Sequence, residues 1–262
     1  MLVSEFVKSS VPSVLSGDGG DELFCGYNIY RNLKVLGQTE RLTKLVRPIF
    51  TKSTIAKHLP PRLRAIMLNT DEKTKTQLHY YMGSELTSRL VLVEQSSVLF
   101  EMEDQFPLSN WQERRMLLDM MTYLPDDILV KVNMAANRVG LDVRAPLLDF
   151  RVFELSFRMK HEYKYRRGSL KYILKDLTYS YIPQHLLDRP KHGFSAPIGT
   201  WLTSPPLSEQ FNDYCSESFV KRQGYFNPVA VKELQDSVMR NENINIGWAY
   251  FVLQQWCIHN GY

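Results

Sequence analysis

Leu2, Phe6 and Val7 recur at helical spacing, and a brief apolar run through Val11, Val14 and Leu15 stops abruptly at Ser16-Gly17-Asp18-Gly19-Gly20. That order predicts a short helix feeding a buried strand, then a loop that opens a new helix: the closing part of an α/β unit. It is the one strand the pattern predicts. A parallel sheet needs neighbours, so this strand's partners are expected to be absent or supplied from elsewhere. Helical periodicity governs the rest. Met116, Leu117, Met120, Met121 and Leu124 form one apolar stripe, Leu170, Ile173, Leu174 and Leu177 a second, and Ala249, Val252, Leu253, Trp256 and Cys257 a third. Asp149 stands where it can cap a helix carrying Phe150, Phe153 and Phe157. Pro60-Pro61, Pro190 and Pro205-Pro206 mark loops, and there is no internal repeat or low-complexity tract. The expected fold class is α/β, mostly helical, with one α/β remnant at the front.

Composition narrows the class without naming it. The 262 residues, 44% hydrophobic and 23% charged, describe a globular chain and exclude a collagen, a coiled coil or a disordered tail. The net charge of +4 is local in origin: Arg41 to Thr70 holds seven Lys/Arg and no acid. A solvated helical face is the expected account of that window, with nucleic-acid binding the lesser reading. Cys25, Cys215 and Cys257 form no CxxC pair, which fits reduced thiols. The start, MLVSEFVKSS, lacks the length and cleavage site of a signal peptide. No apolar run reaches the ~20 residues a membrane span needs. A cytoplasmic location is expected.

Three segments carry chemistry. The first is Ser16-Gly17-Asp18-Gly19-Gly20-Asp21-Glu22, directly after the strand. Its glycines let the backbone turn tightly and approach a ligand, and its three carboxylates suit a hard cation, magnesium above all. A loop at the carboxyl end of a strand is where α/β folds place ligands. It is neither a dinucleotide fingerprint, since Glu22 stands where the third glycine belongs, nor a Walker loop, since no Gly-Lys-Ser/Thr follows. An acidic surface turn is the alternative. The second runs from Leu124-Pro125-Asp126-Asp127 through Lys131 and Asn133 to Val143-Arg144-Ala145-Pro146-Leu147-Leu148-Asp149. Asp127 and Lys131 can project into a cleft or form an ordinary i,i+4 pair, and Arg144 can serve a structural ion pair. The third, Leu187-Asp188-Arg189-Pro190-Lys191-His192-Gly193-Phe194-Ser195-Ala196-Pro197, is ordered by two prolines and a glycine, and its Arg189, Lys191 and His192 would clamp phosphate if they faced the acidic loop, with an exposed basic turn as the alternative. The six histidines show no HExxH or i,i+4 pair, so no zinc signature is present. Cys25 reads as a packed small residue.

In this order, SGDGGDELFCGY (Ser16–Tyr27), VRAPLLD (Val143–Asp149) and RPKHGF (Arg189–Phe194), with KYILKD (Lys171–Asp176) before the last, resemble the glutamine-hydrolysing asparagine synthetases over nearly the whole chain. The resemblance implies the C-terminal helical portion of a PP-loop ATP pyrophosphatase domain (adenine nucleotide alpha hydrolase-like). It also implies a chemistry: ATP adenylates the aspartate side chain, and glutamine-derived ammonia attacks β-aspartyl-AMP to give asparagine and AMP. Carried over by position, Ser16, Gly17 and Gly19 contact ATP. Asp18 serves the acyl-adenylate, Asp21 is a magnesium ligand, and Lys191 contacts the phosphates and stabilises adenylation. Asp127 and Lys131 are further candidates. β-Lactam synthetases resemble this fold but carry Tyr at the position of Asp18, so the acid favours the asparagine-forming branch.

Two features of the family are not in these residues: the N-terminal glutaminase headed by a catalytic Cys, and the S-G-G-x-D-S pyrophosphate loop. The expectation is therefore a partial synthetase domain over 1–262, silent by itself, with aspartate and ammonia as substrates, the missing glutaminase and pyrophosphate-loop segment as partners, and a homodimer allowed. Other readings stay open: amidation of another carboxylate in a polysaccharide or natural-product pathway, or a non-catalytic helical interaction protein.

Overall fold

A computed structural model describes residues 2–34, 85–92, 108, 110–188 and 196–261. The chain divides into two compact units, one of Met1–Thr76 and Val98–Arg189, the other of Gln77–Ser97 and Pro190–Tyr262. The described residues are mostly helical, with one small parallel sheet. In chain order they begin with α1 (Leu2–Lys8), β1 (Ser13–Leu15) and α2 (Gly20–Leu23), and residues 28–34 are also helical. Then come α3 (Glu85–Leu90), α4 (Trp111–Met121), a π-helical stretch (Leu124–Leu129), α5 (Val130–Asn137), β2 (Asp142–Arg144) and a 3-10 turn (Pro146–Leu148). α6 (Phe150–Arg158), α7 (His161–Lys164), α8 (Tyr172–Tyr179) and α9 (Gln184–Leu187) complete the first unit. The second unit holds α3 with α10 (Ile198–Thr203), α11 (Leu207–Tyr214), α12 (Glu217–Gln223), α13 (Pro228–Met239) and α14 (Ile244–Asn260).

In the first unit the expected strand is present, and it has a partner that the sequence pattern did not reveal. β2 runs parallel to β1, with Ser13 opposite Asp142, Val14 opposite Val143 and Leu15 opposite Arg144. The strand is not buried as expected: Leu15 is 76% exposed, because a two-stranded sheet has little to cover its faces. The apolar face of α1 is likewise exposed at Leu2 and Phe6. Asp149 caps α6 as anticipated, accepting the Arg151 backbone N–H at 2.9 Å, while Phe150, Phe153 and Phe157 remain exposed.

The stripe expected along α4 is partly corrected. Met116 and Leu124 are buried, but so are the polar Gln112, Arg115 and Asp119. Their polar groups are met there: Arg115 pairs with Asp119, and Asp119 and Gln112 both bond Tyr30 in the helical residues 28–34. The apolar core of this unit is correspondingly small, gathering Cys25, Tyr30, Met116, Tyr165 and Leu170 in one cluster and Leu33 with Trp111 in another.

The second unit packs α13 and α14 against each other, with α10, α11, α12 and α3 around them. Among the described residues its core joins fourteen buried ones, including Phe211, Phe226, Leu234, Tyr250 and Phe251. Asn227 caps α13, accepting from the backbone N–H groups of Val229 and Ala230, and Pro228 follows at the first helical position. Gly247 lets α14 approach α13 closely, since a Cβ there would lie 2.5 Å from Val238 Cγ2. The third expected stripe is rotated. Of its members only Cys257 is buried, whereas Val252, Leu253 and Trp256 are exposed and the core face is Ile246, Tyr250, Phe251, Gln254 and Cys257.

Candidate functional site

The glycine-rich acidic loop leaves the carboxyl end of β1 at the same edge as the turn that follows β2, where parallel strands present ligand-binding loops. Ser16 is fixed at both ends. Its N–H donates to the Arg144 carbonyl at 2.8 Å, while its hydroxyl donates to the Asp18 carboxylate and accepts the Asp18 N–H at 3.1 Å. Ser16 and Asp18 are thus in direct contact. Gly17 accepts from the Gly20 N–H at 3.3 Å, and the space beside its Cα is open. Gly19 adopts a left-handed backbone (φ +83°) and leads into α2.

The three carboxylates of the loop do not converge. Glu22 turns inward, 1% exposed, and accepts the Tyr27 hydroxyl at 2.6 Å. Burial raises its pKa above the ordinary carboxylate range, the Tyr27 hydrogen bond opposing the shift. Asp21 instead meets the Lys171 ammonium, Nζ to Oδ1 3.0 Å, with both side chains about three-quarters buried (26% and 24% exposed). Among the described residues no three His, Cys, Asp or Glu side chains gather to hold a metal ion. The loop therefore fits a hard cation in part: Asp21 offers a carboxylate, and the rest of the shell has to come from phosphate oxygens, water or other residues.

In the sequence Lys171 is one member of the KYILKD motif, and the fold gives it a place. A tight hairpin with Arg166 bridging to Ser169 precedes it, and Lys171 itself caps α8 in the left-handed conformation (φ +53°). For a residue with a side chain that backbone costs about 1–3 kcal/mol. Its ammonium-bearing end lies against the bare backbone of Gly26, where a Cβ would come within 2.2 Å of Lys171 Cε and 2.0 Å of Asp21 Oδ1. No periodicity or local spacing signals such a pair, because its members are far apart in the chain.

Behind the loop lies a polar network. Tyr30 donates to Asp119 Oδ2 at 2.8 Å, and Arg115 Nε donates to Asp119 Oδ1 at 2.9 Å. Gln112 Nε2 donates to the Tyr30 carbonyl at 2.9 Å, and its Oε1 lies 2.9 Å from His161 Nε2. Cys25, fully buried beside Gln112, is a free thiol whose pKa burial pushes up to about 12, so it is a packed residue as expected. Cys215 and Cys257 are also free and buried.

The other sequence candidates fall elsewhere. Asp127 and Lys131 form an exposed i,i+4 pair at 2.7 Å, the plainer of the two readings. Arg144 pairs with Asp142, and Asp149 with Arg151. Lys191, with Arg189 and His192, lies outside the described residues, as does the basic window from Arg41 to Arg64. No described helix is long and apolar enough to cross a membrane.

Comparison with known proteins agrees with the motifs. The family model described as asparagine synthase matches residues 1–256. Putative glutamine-hydrolyzing asparagine synthetases of Mycobacterium bovis and Mycobacterium tuberculosis are each 32% identical over 222 residues, 79% of this chain and 33% of theirs. Asparagine synthetase [glutamine-hydrolyzing] 1 of Bacillus subtilis is 28% identical over 232 residues, 83% of this chain and 35% of that protein. The chain thus spans about a third of the length of the curated relatives it matches. No solved structure matches.

Proposed function

The chain belongs to the asparagine synthase family, and from that premise we propose that it forms part of a cytoplasmic, ATP-dependent amidotransferase that converts aspartate to asparagine through β-aspartyl-AMP with glutamine-derived ammonia. The observation that carries this reading is the Ser16–Asp21 loop seated at the carboxyl edge of the parallel β1–β2 pair. Ser16, Gly17 and Gly19 bring backbone close to the nucleotide, with open space beside Gly17. Asp18, which Ser16 holds, would accept or orient the proton that the attacking amine loses. Asp21 would hold magnesium, which neutralises charge on the departing pyrophosphate when bound. Lys191 supplies the cation that the phosphates need as charge grows on the bridging oxygen.

We assign the pyrophosphate loop and the glutaminase to polypeptide outside these 262 residues. The purified chain is then expected to release no AMP from ATP, aspartate and ammonium, whereas a protein that joins it to the coding sequence upstream of Met1 releases AMP and asparagine together. In that longer protein Asp18→Asn is expected to lower turnover by about 10²–10⁴-fold. AMP release by the isolated chain would overturn the partial-domain reading, and AMP release that is independent of aspartate would move the reading to another carboxylate.

A further inference from the structure

The Asp21 carboxylate already carries a cation. Lys171 Nζ lies 3.0 Å from its Oδ1, and the pair is partly shielded from solvent. This is not a loose surface pair, since the hairpin before Lys171, its left-handed backbone and the missing Cβ of Gly26 together fix the ammonium in place. A divalent ion bound to the same carboxylate would sit within roughly 6 Å of that ammonium, given the ~2.1 Å metal–oxygen distance of magnesium. Like charges so close, away from bulk water, repel strongly. An anion lying against both cations offsets the repulsion, and pyrophosphate carries enough charge and oxygen to do so.

We propose that Lys171 makes divalent-cation binding at Asp21 conditional on a polyphosphate anion: a bare ion is rejected and an ion that arrives with pyrophosphate is accepted. Lys171 is a positioning residue, holding Asp21 in place before the ion is present. The inference rests on Asp21 as the cation ligand of the function proposed above. It adds the rule by which that ligand is used.

Equilibrium dialysis of the full chain against Mn²⁺, with and without inorganic pyrophosphate, tests it. Wild-type protein is expected to retain little Mn²⁺ alone and clearly more when pyrophosphate is added. Lys171→Met is expected to retain Mn²⁺ alone about tenfold more tightly than wild type. Lys171→Arg, which keeps the charge, restores the wild-type pattern, and a D21N/K171M double variant loses the gain, placing the ion on Asp21. Circular dichroism establishes that each variant is folded. The wild-type comparison with and without pyrophosphate needs no variant at all. K171M binding Mn²⁺ no more tightly than wild type, or wild-type retention indifferent to pyrophosphate, overturns the proposal. None of these readouts needs turnover. The expected Mn²⁺ pattern in a protein that never makes asparagine overturns the activity alone, and turnover with K171M binding like wild type overturns the role of Lys171 alone.

Discussion

Asp119 in the first unit and Leu234 in the second are equally inaccessible, 2% and 0% exposed, yet one is a carboxylate and the other an alkyl chain. The first unit surrounds its acidic loop with directional bonds, Tyr30 and Arg115 to Asp119, Gln112 to the Tyr30 carbonyl and Tyr27 to Glu22. The second fills its centre with aromatic and aliphatic side chains, and its inaccessible amide Gln254 is answered reciprocally by Gln223 at 2.8 and 2.9 Å. Apolar packing tolerates small shifts. A hydrogen-bonded charge pair does not, because displacement leaves a desolvated charge behind. The unit that carries the acidic loop uses the second kind of core.

Removing the buried carboxylate should break that contrast most severely. Asp119→Ala leaves the Arg115 guanidinium without it and is expected to cost about 3–5 kcal/mol in denaturant unfolding, with shift changes at Tyr30 and Gln112 by NMR. A loss under 1 kcal/mol would mean that the network is ornamental. Leu234→Ala opens a cavity in the second unit and is expected to cost about 3 kcal/mol, by the same amount at every pH between about 5 and 8. Titration supplies no lever there: burial pushes Cys215 up to about 12 and Tyr250 higher still.

Glu22 sharpens the comparison through pH. Its folded-state pKa lies above the unfolded value. Its contribution to stability is therefore full in acid and is lost as pH rises through the folded value. Glu22→Gln keeps an acceptor for the Tyr27 hydroxyl and removes the ionisation, so its melting temperature relative to wild type should climb as pH rises above the ordinary carboxylate range. Parallel profiles would show that Glu22 is solvated. The smallest effect belongs to the exposed pair: Asp127→Asn should cost about 0.3–0.5 kcal/mol, and less in high salt.

Legibility in the sequence followed the same division. The loop from Ser16 to Tyr27 was readable because glycines and acids punctuate locally, and the Asp149 cap for the same reason. β2 was not, since Asp142-Val143-Arg144 alternates over only three residues and becomes a strand only by pairing with Ser13–Leu15. Arg115 and Asp119 were hidden because charge reads as a solvent face, and only the fold shows that each answers the other. α14 misled for the opposite reason. It is apolar all round, so periodicity could not distinguish the row through Ile246, Tyr250 and Cys257 from the exposed Val252 and Leu253. Lys171 carried no local signal, its meaning lying in Asp21 and Gly26.

The register of β1 on β2 also sets a schedule for synthesis. Ser13 finds Asp142 about 130 positions later, and a ribosome adding ~5–20 residues per second needs roughly 7–25 seconds to supply it. Throughout that interval the nascent acidic loop lacks the Arg144 carbonyl that holds Ser16. Ribosome-bound chains stalled before Asp142 should therefore be cut readily by protease around Gly17 and Gly19, and chains released after α8 should resist. The acidic loop is finished late in translation, long after its own residues have left the exit tunnel.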